Sequence, residues 1–297
     1  MPLMGFCVCV GTYYQTWKPT RQHKFPTNLS QCPPGHQELK AQWAALTSNL
    51  PSSSSGTTSF YQRYLRKLAI ETNHIESTFL ITEESARDIV QRGVDNGDVR
   101  WCYESALQDA SKIRSILRDT LAACELLLPL VEDPAKLDSA ALCRIHETLV
   151  ESCRITESAY ISPGVTRSTT RKTVIVASRA YSIQCCPFDQ VDAELDVICN
   201  LAKQWTQTWR NPFATASWIH LILVRCHPFE DGNGRLTRLI ASLPLMKHGY
   251  PPISIDLKQR PEYYDAINKA YTGDHSALSQ CIIQGAEETI KFVQSVK

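Results

Sequence analysis

The sequence has no surplus of charge of either sign: 31 lysines and arginines stand against 30 aspartates and glutamates, a formal net charge of +1. No overall field then draws the chain toward nucleic acid or an anionic membrane, and neither is expected as a partner. It also lacks a long apolar run. The greasiest stretch, 216–224, is interrupted by His220 and followed by Arg225, well short of the roughly 18 to 20 apolar residues that span a bilayer. The opening MPLMGFCVCVGTYY carries no basic segment and no small-residue cleavage site, so no signal peptide is expected. Twelve cysteines run from Cys7 to Cys281 without one C-x-x-C pair. That scatter reads as free, mostly buried thiols in a reducing compartment, cytoplasmic or nuclear. Adjacent Cys185 and Cys186 have no His or Cys at ligand spacing and read as packing residues.

What is present suits a soluble globular chain: 297 residues, 43% hydrophobic and 21% charged, enough to bury a sizeable core. Residues 1–59 read as a poorly structured N-terminal region, with only a short helical stretch over 38–50, closing in the Ser-rich linker 51–56. Residues 60–297 read as one folded body, mainly α. Helical periodicity runs over 60–76, 83–92, 101–128 and 138–153, the last opening on an N-cap at Asp138-Ser139. It resumes over 188–209, 212–226, 261–271 and 275–296, while Leu236, Leu239, Ile240 and Leu243 mark one face of a further helix that Pro244 should kink or end. The exception is 163–183, where β-branched Thr173-Val174-Ile175-Val176 predicts a short hairpin on the helical body.

Chemistry concentrates in His227-Pro228-Phe229-Glu230-Asp231-Gly232-Asn233-Gly234-Arg235, which joins an almost wholly apolar helix to the next through a glycine-rich loop. Gly232 and Gly234 let backbone N–H groups converge at a helix N-terminus, where the macrodipole favours negative charge: a phosphate cradle. Around it stand a carboxylate for Mg²⁺ or Mn²⁺ (Asp231), a guanidinium for phosphate oxygens (Arg235) and an imidazole that takes a proton near neutral pH (His227). Arg238, one turn on, reaches the far end of a triphosphate. Taken singly, these residues also serve as caps, core groups and turns. A calcium loop fails, because Phe229 stands where an EF-hand needs an oxygen ligand and no Glu supplies the last position.

The run is similar to the Fic signature, H-P-F-x-[D/E]-G-N-G-R, and matches it at every defined position. The resemblance extends from about Lys67 to Ile290, through Ile145-His146, the hairpin, Gly249-Tyr250-Pro251-Pro252-Ile253, Tyr263-Tyr264 and Gly273-Asp274. It implies a Fic-type helical bundle with a short β-hairpin flap over the active site. It implies an adenylyltransferase that moves AMP from ATP to Ser, Thr or Tyr hydroxyls of a target protein aligned by the flap. In that scheme His227 is the general base and Asp231 holds the metal, while Gly232, Asn233, Gly234, Arg235 and Arg238 bind the phosphates. Gly234 sides with AMP transfer, since Doc-type relatives, which phosphorylate, usually carry Lys there; phosphocholine transfer stays open.

The stretch Thr72-Asn73-His74-Ile75-Glu76-Ser77 resembles the family's inhibitory helix, [S/T]-x-x-x-E-[G/N], with Ser77 in place of Gly or Asn. The resemblance implies that Glu76 pairs with Arg238 and keeps the γ-phosphate from its productive place, and that the same glutamate can orient a water to remove AMP. His74 and His146 have no ligand partners in sequence and read as structural. Tyr271, before Thr272-Gly273-Asp274, is expected to alter the adenine pocket. Family members also dimerise. The competing function is a catalytically silent Fic-fold module that binds nucleotide or protein; none of His227, Asp231 or Arg235 is degenerate, as that alternative would lead one to expect.

Overall fold

The structure, a computed structural model, describes residues 13–26, 29–48, 59–153, 161–177 and 181–296. In chain order these form strand β1 (Tyr13–Gln15), α1 (His36–Thr47), α2 (Phe60–Ile75), α3 (Glu83–Arg92), α4 (Ala110–Glu125), α5 (Leu128–Glu132), α6 (Ser139–Val150) and α7 (Arg167–Thr170). Strands β2 (Ile175–Ala177) and β3 (Tyr181–Gln184) follow. Then come α8 (Val191–Thr208), α9 (Pro212–Cys226), α10 (Asn233–Ala241), α11 (Leu243–Lys247), α12 (Arg260–Tyr271) and α13 (Ser276–Ser295). The fold is mainly helical with one small sheet.

Local chemistry sets the helix starts. Ser59 and Gln62 form a reciprocal capping box on α2, Asp138 accepts from Ala141 N–H to open α6, and Asn211 caps α9 with Pro212 in its first turn. The helical run expected over 101–128 forms only from Ala110. Trp101 is taken by a bridge to Ile81, and Asp109 stops the helix from growing backward by capping Ser111 and Lys112. Pro244 stands in the first turn of α11, just past the end of α10 at Ala241.

Helix α9 is buried along nearly its whole length and is packed by α8, α10, α11, α12 and α13. A helix apolar all round can only sit at the centre, and its C-terminus therefore delivers His227 into the interior of the bundle rather than onto an open surface. Helix α2 packs on α3, α4 and α13 and contributes Tyr64, Leu68, Ile70 and Ile75 to the core. No helix among the described residues is long and apolar enough to cross a membrane.

The expected hairpin is present as β2 antiparallel to β3; its connecting residues and the Ser-rich linker lie outside the described residues. Sequence periodicity did not announce a third strand, β1, which runs parallel to β3 and gives the order β1-β3-β2. The region 1–59 needs correcting on this point. Beyond β1, Phe25 stacks on Trp205 with ring centroids 4.2 Å apart, and Trp43 of α1 meets Tyr64 edge-on at 4.8 Å. Asn211 donates to Leu29 O and Gln31 O at 2.9 and 2.8 Å. Aromatic anchors spaced too irregularly to show a period hold this segment down.

Candidate active site

The nine-residue loop is shaped from within. His227 ends α9 in the left-handed region (φ 51°), a conformation that disfavours side chains other than Gly, Asn and Asp. Arg167 holds it there. This fully buried guanidinium donates to His227 O (2.6 Å), Lys172 O (2.7 Å), Cys186 O (2.7 Å) and Cys226 O (3.1 Å), while its own N–H donates to Pro228 O at 2.8 Å. One side chain thus ties the end of α9 to both ends of the flap.

Asn233 staples the loop from the other side. Its Oδ1 accepts from Phe229 N–H (2.9 Å) and its Nδ2 donates to Phe229 O (2.8 Å). Both polar atoms of that side chain are engaged by Phe229, and the group of Asn233 turned out of the α10 N-terminus is its backbone N–H. The Phe229 ring stacks on His146 at 3.7 Å and 6°. His146 Nδ1 accepts from Gly164 N–H (3.0 Å), which fixes the ring proton on Nε2 for donation to Asp231 O at 2.9 Å. Burial pushes this imidazole down to about 4, in keeping with a neutral packing group.

Gly232 is required twice over. Its φ is +74°, and a Cβ there would lie 2.7 Å from Val150 Cγ1. From this turn α10 starts, and its first backbone bond is made by Leu236 N–H on Gly232 O at 2.9 Å. The N–H groups of Asn233, Gly234 and Arg235 precede that bond and face out of the N-terminus.

A cavity of about 230 Å³ opens there, lined by His227, Gly234, Arg238 and Glu76 and also by Val176, Ile183, Tyr264 and Asn268 among others. His227 is half-buried, yet the density of protein around it and the charge of Arg167 push its imidazole down to about 4. The ring is therefore neutral at pH 7. Its Nδ1 lies 3.3 Å from Val224 O, which can only accept, so the proton sits on Nδ1 and Nε2 is left as a base.

Both residues of the expected inhibitory pattern reach one arginine. Arg238 donates through Nε to Thr72 Oγ1 (2.8 Å) and through Nη2 to Thr72 O (2.9 Å). It pairs with Glu76 Oε1 at 2.8 Å and bonds Tyr263 Oη at 3.2 Å. Burial opposes its charge, but Tyr263 and Glu76 keep it firmly protonated. Glu76 sits over Gly234, so close that a Cβ at 234 would collide with its carboxylate. Helix α2 ends at Ile75 and turns through Ser77 at φ 55°, with Thr78 N–H on Asn73 O and Ser77 N–H on His74 O, both 3.0 Å. That is a Schellman stop with serine in the position glycine usually fills.

Arg235 faces inward, its Nη1 3.2 Å from Asn73 Oδ1 and its Nη2 3.4 Å from Asp231 Oδ2; it does not line the cavity described above. Its Nε is buried without a hydrogen-bond partner among the described residues. Asp231 is 57% exposed and, like Arg235, is not among the residues that line the cavity. Among the described residues no three His, Cys, Asp or Glu side chains cluster as a metal site. His74 accepts from Ile81 N–H through Nε2 at 3.3 Å, away from the motif loop. Tyr271 turns from the cavity to donate to Thr16 O at 2.8 Å.

Residues 136–245 match the profile of the Fic/DOC family, and the chain carries a Fic/DOC domain. It is 35% identical over 101 residues to the protein adenylyltransferase Fic of Aedes aegypti, covering 33% of this chain and 20% of that protein. Over 101 residues it is 40% identical to the namesake from Culex quinquefasciatus, with the same coverage. The chain thus spans about a fifth of the length of these curated relatives. The fold matches a Fic-domain-containing signaling protein from Bacteroides thetaiotaomicron with a TM-score of 0.64 at 17% identity, over 88% of this chain and 98% of the other. It matches Fic-1 from Caenorhabditis elegans at 0.59 and 20% identity, over 87% and 71%.

Sequence reasoning missed Arg167, and it missed the buried Gln15, whose amide bonds the cavity-lining Arg225 and Asn268. A buried arginine whose partners are all backbone carbonyls leaves no side-chain pattern to read. Gln15 belongs to a strand only three residues long.

Proposed function

We propose that the chain is a protein adenylyltransferase held in check by Glu76. The observation that carries this is the meeting, in one cavity, of a neutral His227, the open N-terminus of α10, and Arg238 already engaged by Glu76. His227 Nε2 takes the proton of a target hydroxyl, whose oxygen attacks the α-phosphorus of ATP. The new P–O bond forms as the bond to pyrophosphate breaks, and the charge that builds on the phosphates meets N–H donors fixed in advance. Asp231 is suited to Mg²⁺ or Mn²⁺: one exposed carboxylate with substrate phosphates is how such a cation is commonly held, and when bound it neutralises phosphate charge. Arg235, buried behind Asp231, orients that carboxylate.

Glu76 occupies the guanidinium that a γ-phosphate would otherwise use, and the resulting ground state excludes productive ATP. The same carboxylate, once swung aside, is placed to activate a water against an AMP-modified side chain. The target is a protein segment that adds to the flap. With β3 flanked by β1 and β2, both outer strands are edges, and the one that belongs to the flap is β2, whose Ile175 and Val176 are 54% and 38% exposed.

The test is incubation with α-labelled ATP and Mg²⁺ or Mn²⁺, reading label on the protein itself for wild type, Glu76→Gly and Glu76→Gly/His227→Ala. Gain of label in the first variant and its loss in the second is the expected result. ATP binding with no label in either variant would leave the silent nucleotide-binding module as the better account.

A further inference from the structure

Strand β1 touches two residues of the cavity wall through the side chain of Gln15. Gln15 pairs in register with Ile183 of β3, and paired residues of adjacent strands face the same side of the sheet. Ile183 lines the cavity, and Gln15 is buried beside it. There its amide bridges two other cavity-lining residues. Arg225 Nη1 donates to Gln15 Oε1 at 2.6 Å, and Gln15 Nε2 meets Asn268 Oδ1 at 3.4 Å.

The chemistry of arginine fixes the sense of this chain. A guanidinium has donors and no acceptor, so the group of Gln15 that faces it must be the carbonyl oxygen. Gln15 then turns its NH₂ toward Asn268, Asn268 answers with its own carbonyl oxygen, and the Asn268 NH₂ is left to face away. Amide orientations that are otherwise interchangeable are here dictated by one donor-only residue, and each bond polarises the next. Arg225 is itself set in place by its guanidinium lying 4.2 Å over the ring of Tyr271.

Resting on the nucleotide reading of the cavity, we propose that Gln15 is a specificity-determining positioning residue: through the Arg225–Gln15–Asn268 relay it makes Asn268 present N–H donors to the base. The apolar part of the lining, Val176, Ile183, Val224, Tyr264 and Ile267, offers a flat ring its slot. The relay selects a base whose edge offers Asn268 an acceptor, a bare ring nitrogen or a carbonyl, and disfavours one that offers a donor. The N-terminal strand, which belongs neither to the motif loop nor to the flap hairpin, is thereby part of the nucleotide site.

Gln15→Glu reverses the relay. A carboxylate at 15 still accepts from Arg225 but has no donor for Asn268, whose NH₂ must turn toward it and leave its carbonyl oxygen facing the base. The experiment measures equilibrium binding of ATP, GTP, CTP, UTP and inorganic tripolyphosphate, each with Mg²⁺, to Glu76→Gly and to Glu76→Gly/Gln15→Glu. The best-bound nucleotide is expected to weaken about tenfold or more, as when a site's polar group is set against the wrong partner, while tripolyphosphate is unchanged. Asn268→Asp, which also presents only acceptors, must weaken the same nucleotide, and label transfer must change in KM and not in kcat. Equal weakening of every ligand, tripolyphosphate included, makes Gln15 a merely structural residue and overturns the proposal, as does an unaltered order of preference. If Glu76→Gly binds tripolyphosphate but distinguishes no base, the relay fails while a phosphate site stands; if it binds none of the five, the nucleotide reading falls and takes the relay with it.

Discussion

Arg167 is the side chain whose removal the fold is least able to absorb. Its guanidinium serves four backbone carbonyls at 2.6 to 3.1 Å, in a place where water does not reach any of its atoms. A hydrogen bond from a charged donor contributes about 1.5 to 3 kcal/mol, and stranding a buried acceptor costs about 1 to 3 kcal/mol. Four such terms share one group and do not add, so Arg167→Ala is expected to cost about 4 kcal/mol, near the upper end for single substitutions. Lysine keeps the charge but loses the planar fork. It can serve the His227 carbonyl and one neighbour, so Arg167→Lys should cost about half as much. Thermal unfolding followed by circular dichroism reads both: for a chain of this size 1 kcal/mol moves Tm by about 2 °C, giving a drop of about 8 °C for alanine and 4 °C for lysine. In the Glu76→Gly background at a temperature where both variants are folded, label transfer should fall further than nucleotide binding, because what loosens first is the left-handed backbone of His227. A Tm loss below about 2 °C for Arg167→Ala would show that the four contacts are incidental, and equal activity of Arg167→Ala and its parent would detach Arg167 from His227.

Three further outcomes follow from the structure. Five histidines, His74, His146, His220, His227 and His275, are held at about 3 to 4, below an ordinary 6.5, chiefly by burial. Their folded pKa values are depressed, so the stability they permit is complete above about pH 6.5 and is lost as pH falls toward 4, by about 1.4 kcal/mol per pH unit for each histidine titrating only in the unfolded chain. The urea midpoint should therefore drop steeply between pH 6 and 5, and a flat midpoint across that range would contradict the assignment. Label transfer by Glu76→Gly, assayed where the protein stays folded, should show no loss of base function near pH 6.5. Ser77→Gly relieves a serine at φ 55° and should raise stability by about 0.5 to 1 kcal/mol; destabilisation would mean that the exposed bond from Arg260 Nη1 to Ser77 Oγ, 3.2 Å long, outweighs the strain.

Much of this was legible in the residues. Helix α9 begins and ends where its Asn211-Pro212 start and the His227-Pro228 break put it, because caps and prolines act locally. The motif loop was legible for the same reason: its glycines, its carboxylate and its imidazole lie within nine residues. Contact between Thr72, Glu76 and Arg238 was readable only through resemblance, since more than 160 residues separate the partners. Hidden altogether were interactions in which one partner is backbone or the spacing is irregular. Arg167 satisfies carbonyls, which every residue has. Phe25, Trp43 and Gln15 hold a segment with no period to declare it. Asn233 reads in sequence as a phosphate ligand, yet both polar atoms of its side chain bond the backbone of Phe229.

The helix that carries Glu76 is a wall of the house, not a door. From Lys67 to Ile75 every residue of α2 is buried, and fully burying an apolar side chain contributes about 1.5 to 3 kcal/mol. Tyr64, Leu68, Ile70 and Ile75 alone then represent about 8 kcal/mol, as much as the net stability of many whole domains. Undocking α2 would unfold the protein. Glu76, by contrast, is 31% exposed and lies past the last helical residue. Parting Glu76 from Arg238 therefore takes the turning of one half-buried side chain, while Thr72 and Tyr263 go on holding the guanidinium in place. If Glu76 is the brake proposed above, a signal that releases it has to compete for a single carboxylate, as a neighbouring cation or a bound segment does, and needs no lever longer than Ser77.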